Sequence, residues 1–79
     1  MSDFEKIESI VKDLTTRVQR FHSGDWVALY FSGGTNKWWA TSAFTLRWQF
    51  TGNDPFEALS DLETDLRERE TEFGYEAAE

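Results

Sequence analysis

The stretch DWVALYFSGGTNKWWAT, residues 25–41, decides the fold of this chain. Its first eight residues are rich in aromatic and β-branched side chains, a composition typical of a β-strand. Gly33-Gly34 interrupts that run and predicts a turn, and Lys37 to Thr41 predicts a second, shorter strand. The stretch therefore predicts a β-hairpin.

A third strand is predicted after the hairpin, between Phe44 and Thr51. Apolar and polar residues alternate there, which indicates a strand with one buried face; its apolar residues are Phe44, Leu46, Trp48 and Phe50. The connection before it, Thr41 to Ala43, contains neither Gly nor Pro, so the sequence leaves the register of this strand open. The same alternation assigns the other core-facing positions of the sheet to Val27, Leu29, Phe31, Trp38 and Ala40.

A helix is predicted on each side of the strands. Ser2 and Glu5 have the spacing of a capping box, and apolar residues then recur every three or four positions as far as His22: Phe4, Ile7, Val11, Leu14, Val18 and Phe21. Near the other end, Asp54 is the predicted N-cap of a second helix, with Pro55 at its first position and Glu57 completing a capping box. The predicted buried face of this helix consists of Leu59, Leu62, Leu66 and Phe73.

These elements predict an α+β fold in the order helix, three-stranded antiparallel sheet, helix (αβββα). Both helices can lay their apolar sides on one face of the sheet. The 79 residues are expected to form a single domain, 1–79, close to the lower limit for folding on a hydrophobic core alone. There is no cysteine to supply a disulfide, so the four Trp, seven Phe and two Tyr residues are expected to provide much of that core.

The charge of the chain is concentrated in the second helix. Residues 1–53 contain five acidic and six basic side chains, a net of +1, whereas residues 54–79 contain ten acidic and two basic side chains, a net of −8. Six of these acids recur at spacings of three and four, and so share one side of a helix: Asp54, Glu57, Asp61, Asp65, Glu68 and Glu72. Like charges placed in this way cost a helix about 0.2–0.5 kcal/mol per pair.

The acidic side of the second helix has two interpretations. It is a solvated surface that keeps a small protein soluble, or it is a polyanion mimic that docks into a basic groove of another protein. In the second interpretation Asp54 mainly caps the helix, and the predicted contact residues are Glu57, Asp61, Asp65, Glu68 and Glu72. Direct binding to nucleic acid is not expected, since it requires Lys and Arg to displace counterions.

Residues that could carry catalysis are few. The one histidine, His22, is predicted to be a surface or capping residue, and the chain has no cysteine and no hydrolase, metalloprotease or phosphate-loop motif. We therefore expect no enzymatic activity, no metal and no cofactor. The N-terminus lacks a signal-peptide pattern and no apolar run approaches the ~20 residues of a membrane span, so we expect a soluble, cytoplasmic protein.

The strand alternation leaves an aromatic surface on the sheet face opposite the helices. Trp26, Tyr30 and Trp39 share this face, and no predicted element covers it. These rings either pack against one another or against the end of the chain, or they form an interface, since exposed Trp and Tyr are common interface anchors. The apolar side of the first helix is an alternative dimer surface.

In size, composition and charge, with Glu57, Asp61, Asp65, Glu68 and Glu72 on one helix, the chain resembles small acidic phage-encoded accessory proteins, among them anti-CRISPR and anti-restriction inhibitors. The resemblance implies a non-enzymatic inhibitor, located in the host cytoplasm, that binds a host nucleic-acid-handling enzyme and blocks its nucleic-acid site. A second resemblance covers Phe50 to Leu62, which is similar to the strand-to-helix step of HicB-type antitoxins. The alternative function is a small homodimeric structural or regulatory interaction module, so both a monomer and a homodimer remain open.

Overall fold

The computed structural model describes residues 2–43 and 49–74. The elements follow the chain in the order α1 (Asp3–Val18), β1 (Val27–Ser32), β2 (Lys37–Ser42), β3 (Phe50–Gly52) and α2 (Pro55–Glu72). The strands form one antiparallel sheet in the order β1-β2-β3. The predicted α+β class and αβββα order are confirmed. Within the described residues, neither helix is both long and apolar enough to cross a bilayer.

β1 and β2 form the predicted hairpin. Their register runs from Val27 opposite Ser42 to Ser32 opposite Lys37, and residues 33–36 form the turn. Asn36 has a φ of 57°, and its N–H donates to the carbonyl oxygen of Ser32 over 2.8 Å. Asn adopts this left-handed conformation more readily than most residues, which explains its place at the end of the turn.

β3 covers Phe50–Gly52, the end of the predicted third strand. Its pairs with β2 place Trp38 opposite Gly52 and Ala40 opposite Phe50. This register puts Phe50 on the same face of the sheet as Ala40, as the alternation predicted. The other apolar residues of the predicted strand, Phe44, Leu46 and Trp48, lie outside the described residues.

One hydrophobic core lies between the sheet and the two helices. Its buried residues come from both helices and from β1 and β2: Leu14, Val18, Val27, Ala40, Ala58, Leu59, Leu62 and Leu66. Around them pack seven partly exposed residues: Ile7, Ile10, Val11, Phe21, Leu29, Trp38 and Phe50. α1 contacts β1, and α2 contacts β2 and β3. Both helices therefore cover the same face of the sheet, as predicted.

Three aromatic residues that were predicted to be buried are exposed. The exposed fraction is 76% for Phe4, 48% for Phe31 and 62% for Phe73. The buried residues of α1, Leu14 and Val18, lie in its last two turns, far from Phe4 at its beginning. Phe73 follows the last residue of α2. The helical period gives the side of the helix on which a residue lies but not how far it is buried. Phe73 packs edge-on against the partly exposed Phe21, with ring centroids 5.5 Å apart, and still remains mostly exposed.

The predicted N-caps are present, with one correction. Ser2 Oγ accepts from Glu5 N over 3.2 Å, and Glu5 Oε1 accepts from Ser2 N over 2.9 Å, so the first capping box is confirmed. In α2, Asp54 Oδ1 accepts from Glu57 N over 2.8 Å. The Glu57 carboxylate, however, accepts from Asn53 N over 2.6 Å. The predicted reciprocal bond to Asp54 is wrong, because Glu57 reaches one residue further back.

Asp25, predicted to begin the first strand, is instead a buried carboxylate. Its Oδ1 accepts from Trp26 N over 2.6 Å and from Ala43 N over 2.8 Å. Ala43 follows the last residue of β2, so this side chain ties the beginning of the hairpin to its end. The strand begins at Val27 because Asp25 and Trp26 take part in this connection and not in the ladder.

Candidate functional site

α2 presents the predicted acidic residues on its outer side. Its inner side packs on the sheet through three fully buried leucines, Leu59, Leu62 and Leu66. All five predicted contact residues lie on the accessible surface, four of them exposed and Asp65 partly exposed. We call this surface the acidic face, and its residues are Glu57, Asp61, Asp65, Glu68 and Glu72. At ~1.5 Å per helical residue it extends about 22 Å along α2.

Two of the five carboxylates have local partners. Glu57 accepts the Asn53 N–H, and Asp65 Oδ2 lies 3.1 Å from Nε of Arg69. The other three, Asp61, Glu68 and Glu72, make no ion pair and no side-chain hydrogen bond to any residue within 2–43 and 49–74. Next to them, a shallow, open depression of about 250 Å³ is lined by Asp65, Glu68, Arg69 and Glu72. The charge of the acidic face is thus mostly presented to solvent.

Arg17 of α1 is the centre of an ion-pair network between the helices. Its Nε donates to Oε2 of Glu70 over 2.9 Å, and its Nη2 donates to Oε1 over 2.6 Å, a two-pronged match of guanidinium to carboxylate. Oε2 of Glu63 lies 3.4 Å from Arg17 Nη2 and 2.6 Å from Arg67 Nη2. Arg20 Nη1 lies 3.9 Å from Glu70 Oε2. These acids of α2 are neutralised by arginines, unlike most of the acidic face.

The pKa values of this pair reflect the same contacts. The Glu70 side chain is 1% exposed and that of Arg17 is 14% exposed. The hydrogen bonds from Arg17 lower the pKa of Glu70 below its usual range, and those to Glu70 raise the pKa of Arg17. Burial opposes both shifts, since it penalises the charged forms. The bonds outweigh burial, so the pair is ionised at neutral pH.

The sequence contains a signal for this network that the charge pattern alone did not reveal. Glu70 follows Leu66 by four positions and therefore continues the leucine side of α2. Arg17 directly precedes the buried Val18 of α1. A carboxylate on the buried side of a helix requires a cation partner, and this requirement identifies Glu70 as structural rather than part of the acidic surface.

Acid should remove the contribution of Glu70 to stability. Because its pKa is lower in the folded state than in the unfolded state, its stabilising effect is complete above about pH 4.3 and is lost as pH falls through the folded pKa. At pH 7 we expect the wild type to be more stable than Glu70→Gln by about 1.5–3 kcal/mol. In urea denaturation this difference should shrink progressively as the pH is lowered below about 4.3. A difference that stays constant with pH would contradict the assignment.

Tyr30 and Trp39 are brought together on the sheet face opposite the helices. They are paired in the β1–β2 register, and their rings are nearly parallel, with centroids 6.4 Å apart and an interplanar angle of 7°. Trp39 Nε1 donates to Thr35 Oγ1 over 3.1 Å. Trp26 and Tyr30 are exposed and Trp39 is partly exposed. The predicted secondary interface, Trp26, Tyr30 and Trp39, is therefore accessible, and two of its rings stack on each other.

The described residues contain no group of three or more His, Cys, Asp or Glu side chains arranged to hold a metal ion. His22 is exposed, and its Nδ1 accepts from Gly24 N over 3.3 Å. It is a surface residue of the turn that follows α1, as predicted.

No family model, no curated protein and no solved structure matches this chain. The resemblances to phage-encoded inhibitors and to HicB-type antitoxins stay predictions that rest on the residues quoted for them.

Proposed function

We propose that this protein is a non-enzymatic inhibitor that binds a basic, nucleic-acid-binding surface of an enzyme through the acidic face of α2. The observation that supports the proposal is the division of the acids of α2 into two sets. Glu63 and Glu70 are paired with arginines, whereas Asp61, Glu68 and Glu72 are exposed and have no cation partner among the described residues. A row of unneutralised carboxylates is complementary to the Lys and Arg rows that hold phosphates.

The acidic face is held in a fixed position before any partner arrives. The N-cap bond from Asp54 fixes the first turn of α2, three buried leucines anchor its middle, and the bonds between Arg17 and Glu70 tie its last turns to α1. Binding through such a preorganised surface requires little loss of backbone freedom. This rigidity favours a docking surface over a purely solvating one.

Alignment of the charges also favours a partner. Glu68 and Glu72 are four residues apart and neither has a cation partner among the described residues, so they bring like charges together at a cost of about 0.2–0.5 kcal/mol. A surface that only confers solubility works as well with both signs interspersed. A basic partner relieves the repulsion when it binds.

The experiment compares the wild type with the variant Asp61→Lys/Glu68→Lys in capture of nucleic-acid-binding proteins from a host lysate, followed by titration of the captured enzyme. We expect the wild type to compete with nucleic acid for that enzyme and to lose affinity steeply between about 0.05 and 0.5 M salt. The variant should bind at least about 100-fold more weakly, because like charges then meet across the interface. Asp65 is left unchanged, since its reversal would also leave Arg69 without its partner.

A matched control adds the same charge to α1. The variant Asp3→Lys/Ser9→Lys/Thr16→Lys also makes the chain more positive by four units, at three exposed positions, and it should retain binding. If both variants lose affinity equally, net charge and not the acidic face determines binding. If Asp61→Lys/Glu68→Lys binds like the wild type, the proposal is wrong. Circular dichroism and urea denaturation verify that both variants are folded.

A further inference from the structure

β1 is an edge strand of the sheet. It pairs with β2 on one side, and no described strand pairs with its other side. Edge strands present unpaired N–H and C=O groups that can add a further strand, and proteins usually protect them with charges, Pro or a bulge. β1 has none of these, since its sequence is VALYFS. Its outer edge is therefore able to pair with another strand.

An apolar groove lies beside this edge, between α1 and β1. It has a volume of about 400 Å³ and is lined by Phe4, Ile7, Val11 and Leu29, together with Glu8 and Lys12. Phe31, on the same face of β1 as Leu29, is half exposed. Phe4 and Leu29 join α1 to β1 in the lining of this groove, so the outer side of α1 and the edge strand together form the candidate interface.

The charges of the groove are balanced, which suits a second copy of this chain. Glu8 and Lys12 form an ion pair of 3.5 Å and are both largely exposed. A two-fold interface presents the same patch on both sides, so the patch must complement itself. Glu8 and Lys12 meet this requirement. When the two helices run antiparallel, the Glu of each copy can lie opposite the Lys of the other copy.

We propose that two copies associate through the edges of their β1 strands, which pair antiparallel and join the two sheets into one of six strands. Residues directly opposite each other in such a pair point to the same face. The two-fold axis must therefore pass through a residue position and not between two residues, and we place it at Leu29 or Tyr30, in the middle of β1. The two α1 helices then lie side by side and antiparallel. Their grooves close on each other, and Glu8 of one copy faces Lys12 of the second copy.

The other edge of the sheet is a poor alternative. It is formed by β3, which α2 contacts, so pairing there would bring two strongly acidic helices together. Pairing through β1 places the two α2 helices at opposite outer edges of the joined sheet and leaves both acidic faces accessible. The dimer is therefore compatible with the proposed function but does not depend on it.

Sedimentation velocity over a concentration series tests the proposal. We expect the wild type to dimerise in the micromolar range and Phe4→Glu to weaken the dimer at least about 100-fold, since the change removes an anchor from both copies. Phe73→Glu is the matched control, an exposed aromatic outside the groove, and should leave the dimer unchanged. Both positions are exposed enough for the variants to remain folded.

Charge exchange provides a second and independent measurement. Glu8→Lys or Lys12→Glu alone places like charges opposite each other and should shift each variant to the monomer. A mixture of the two variants should restore association, because each Lys then faces a Glu. A wild type that stays monomeric at the highest concentration overturns the proposal, as does a dimer that Phe4→Glu leaves intact. Loss of the dimer in Trp26→Ala, with Phe4→Glu unaffected, would place the interface on the opposite sheet face and also overturn it.

Discussion

Arg17→Met is expected to lower the free energy of unfolding by about 3–5 kcal/mol, the usual cost of breaking a buried ion pair from one side. The change removes both hydrogen bonds to Glu70 and leaves a carboxylate that is 1% exposed with the more exposed Arg20, 3.9 Å away, as its ion-pair partner. A domain of this size has roughly 4–12 kcal/mol of total stability, so the loss is a large share of it. Urea denaturation at pH 7, followed by Trp fluorescence, measures the effect.

The double variant Arg17→Met/Glu70→Leu distinguishes two contributions to the free energy of unfolding: the cost of leaving one buried charge unpaired, and the net contribution of the intact ion pair. Replacement of both partners by apolar residues removes the buried charge, and such replacements are often neutral or stabilising. We expect most of the lost stability to return. Arg67→Met is the control, because Arg67 is largely exposed in its pair with Glu63 and should cost no more than about 1 kcal/mol. A double variant as unstable as Arg17→Met would show that packing, not charge, dominates the site.

Features with local causes were predictable from the sequence. Three such features are the Ser2–Glu5 capping box, the Asp54 N-cap and the turn after Ser32. Each depends on residues within a few positions of one another, so a short segment of sequence is enough to predict it. The alternation of the strands likewise placed Tyr30 and Trp39 together on one face. Local chemistry gave the order of elements and the side of each helix that faces the sheet.

Features that depend on distant partners were not predictable in the same way. Arg17 and Glu70 are 53 positions apart, and nothing near Glu70 distinguishes it from the other acids except its place after Leu66. Phe4 and Phe73 follow the helical period, but burial also requires enough opposing surface. Phe73 meets only the edge of Phe21 and Phe4 lines the open groove beside β1, so both remain mostly exposed. Local sequence gives the charge of a residue and the side of the helix on which it lies. Whether the residue is buried or paired depends on the element that packs against it.

The acidic face combines a feature that the sequence predicts with one that it does not. All five residues predicted from spacing lie on one accessible surface, as a rigid helix requires. Their roles nevertheless differ, because Glu57 caps the chain before α2 and Asp65 is paired with Arg69. The structure thus directs mutagenesis to Asp61, Glu68 and Glu72, whose reversal changes the surface without releasing a described partner.

At Gly52 the sheet lies very close to the first turn of α2. This residue ends β3 opposite Trp38, and a Cβ at this position would lie 2.5 Å from Ala58 N, 2.7 Å from Glu57 Cβ and 2.9 Å from Glu57 C. These distances are well below van der Waals contact, and two of the three atoms are backbone. In the sequence Gly52 stands in a Gly-Asn-Asp-Pro run typical of a turn, and nothing near it indicates that a helix packs against it.

Gly52→Ala is therefore expected to lower the free energy of unfolding by about 3 kcal/mol, at the upper end of the usual cost of overpacking. The first turn of α2 cannot yield easily, because Pro55 and the Asp54 cap fix its backbone, and a shift would carry Glu57 away from Asn53. Gly33→Ala is the matched control: a Cβ there meets nothing within 4 Å, and we expect a change of no more than about 0.5 kcal/mol. Urea denaturation of both variants measures the difference. Equal stability would mean that β3 and α2 separate without loss, and the close approach at Gly52 would then contribute nothing to how α2 is held.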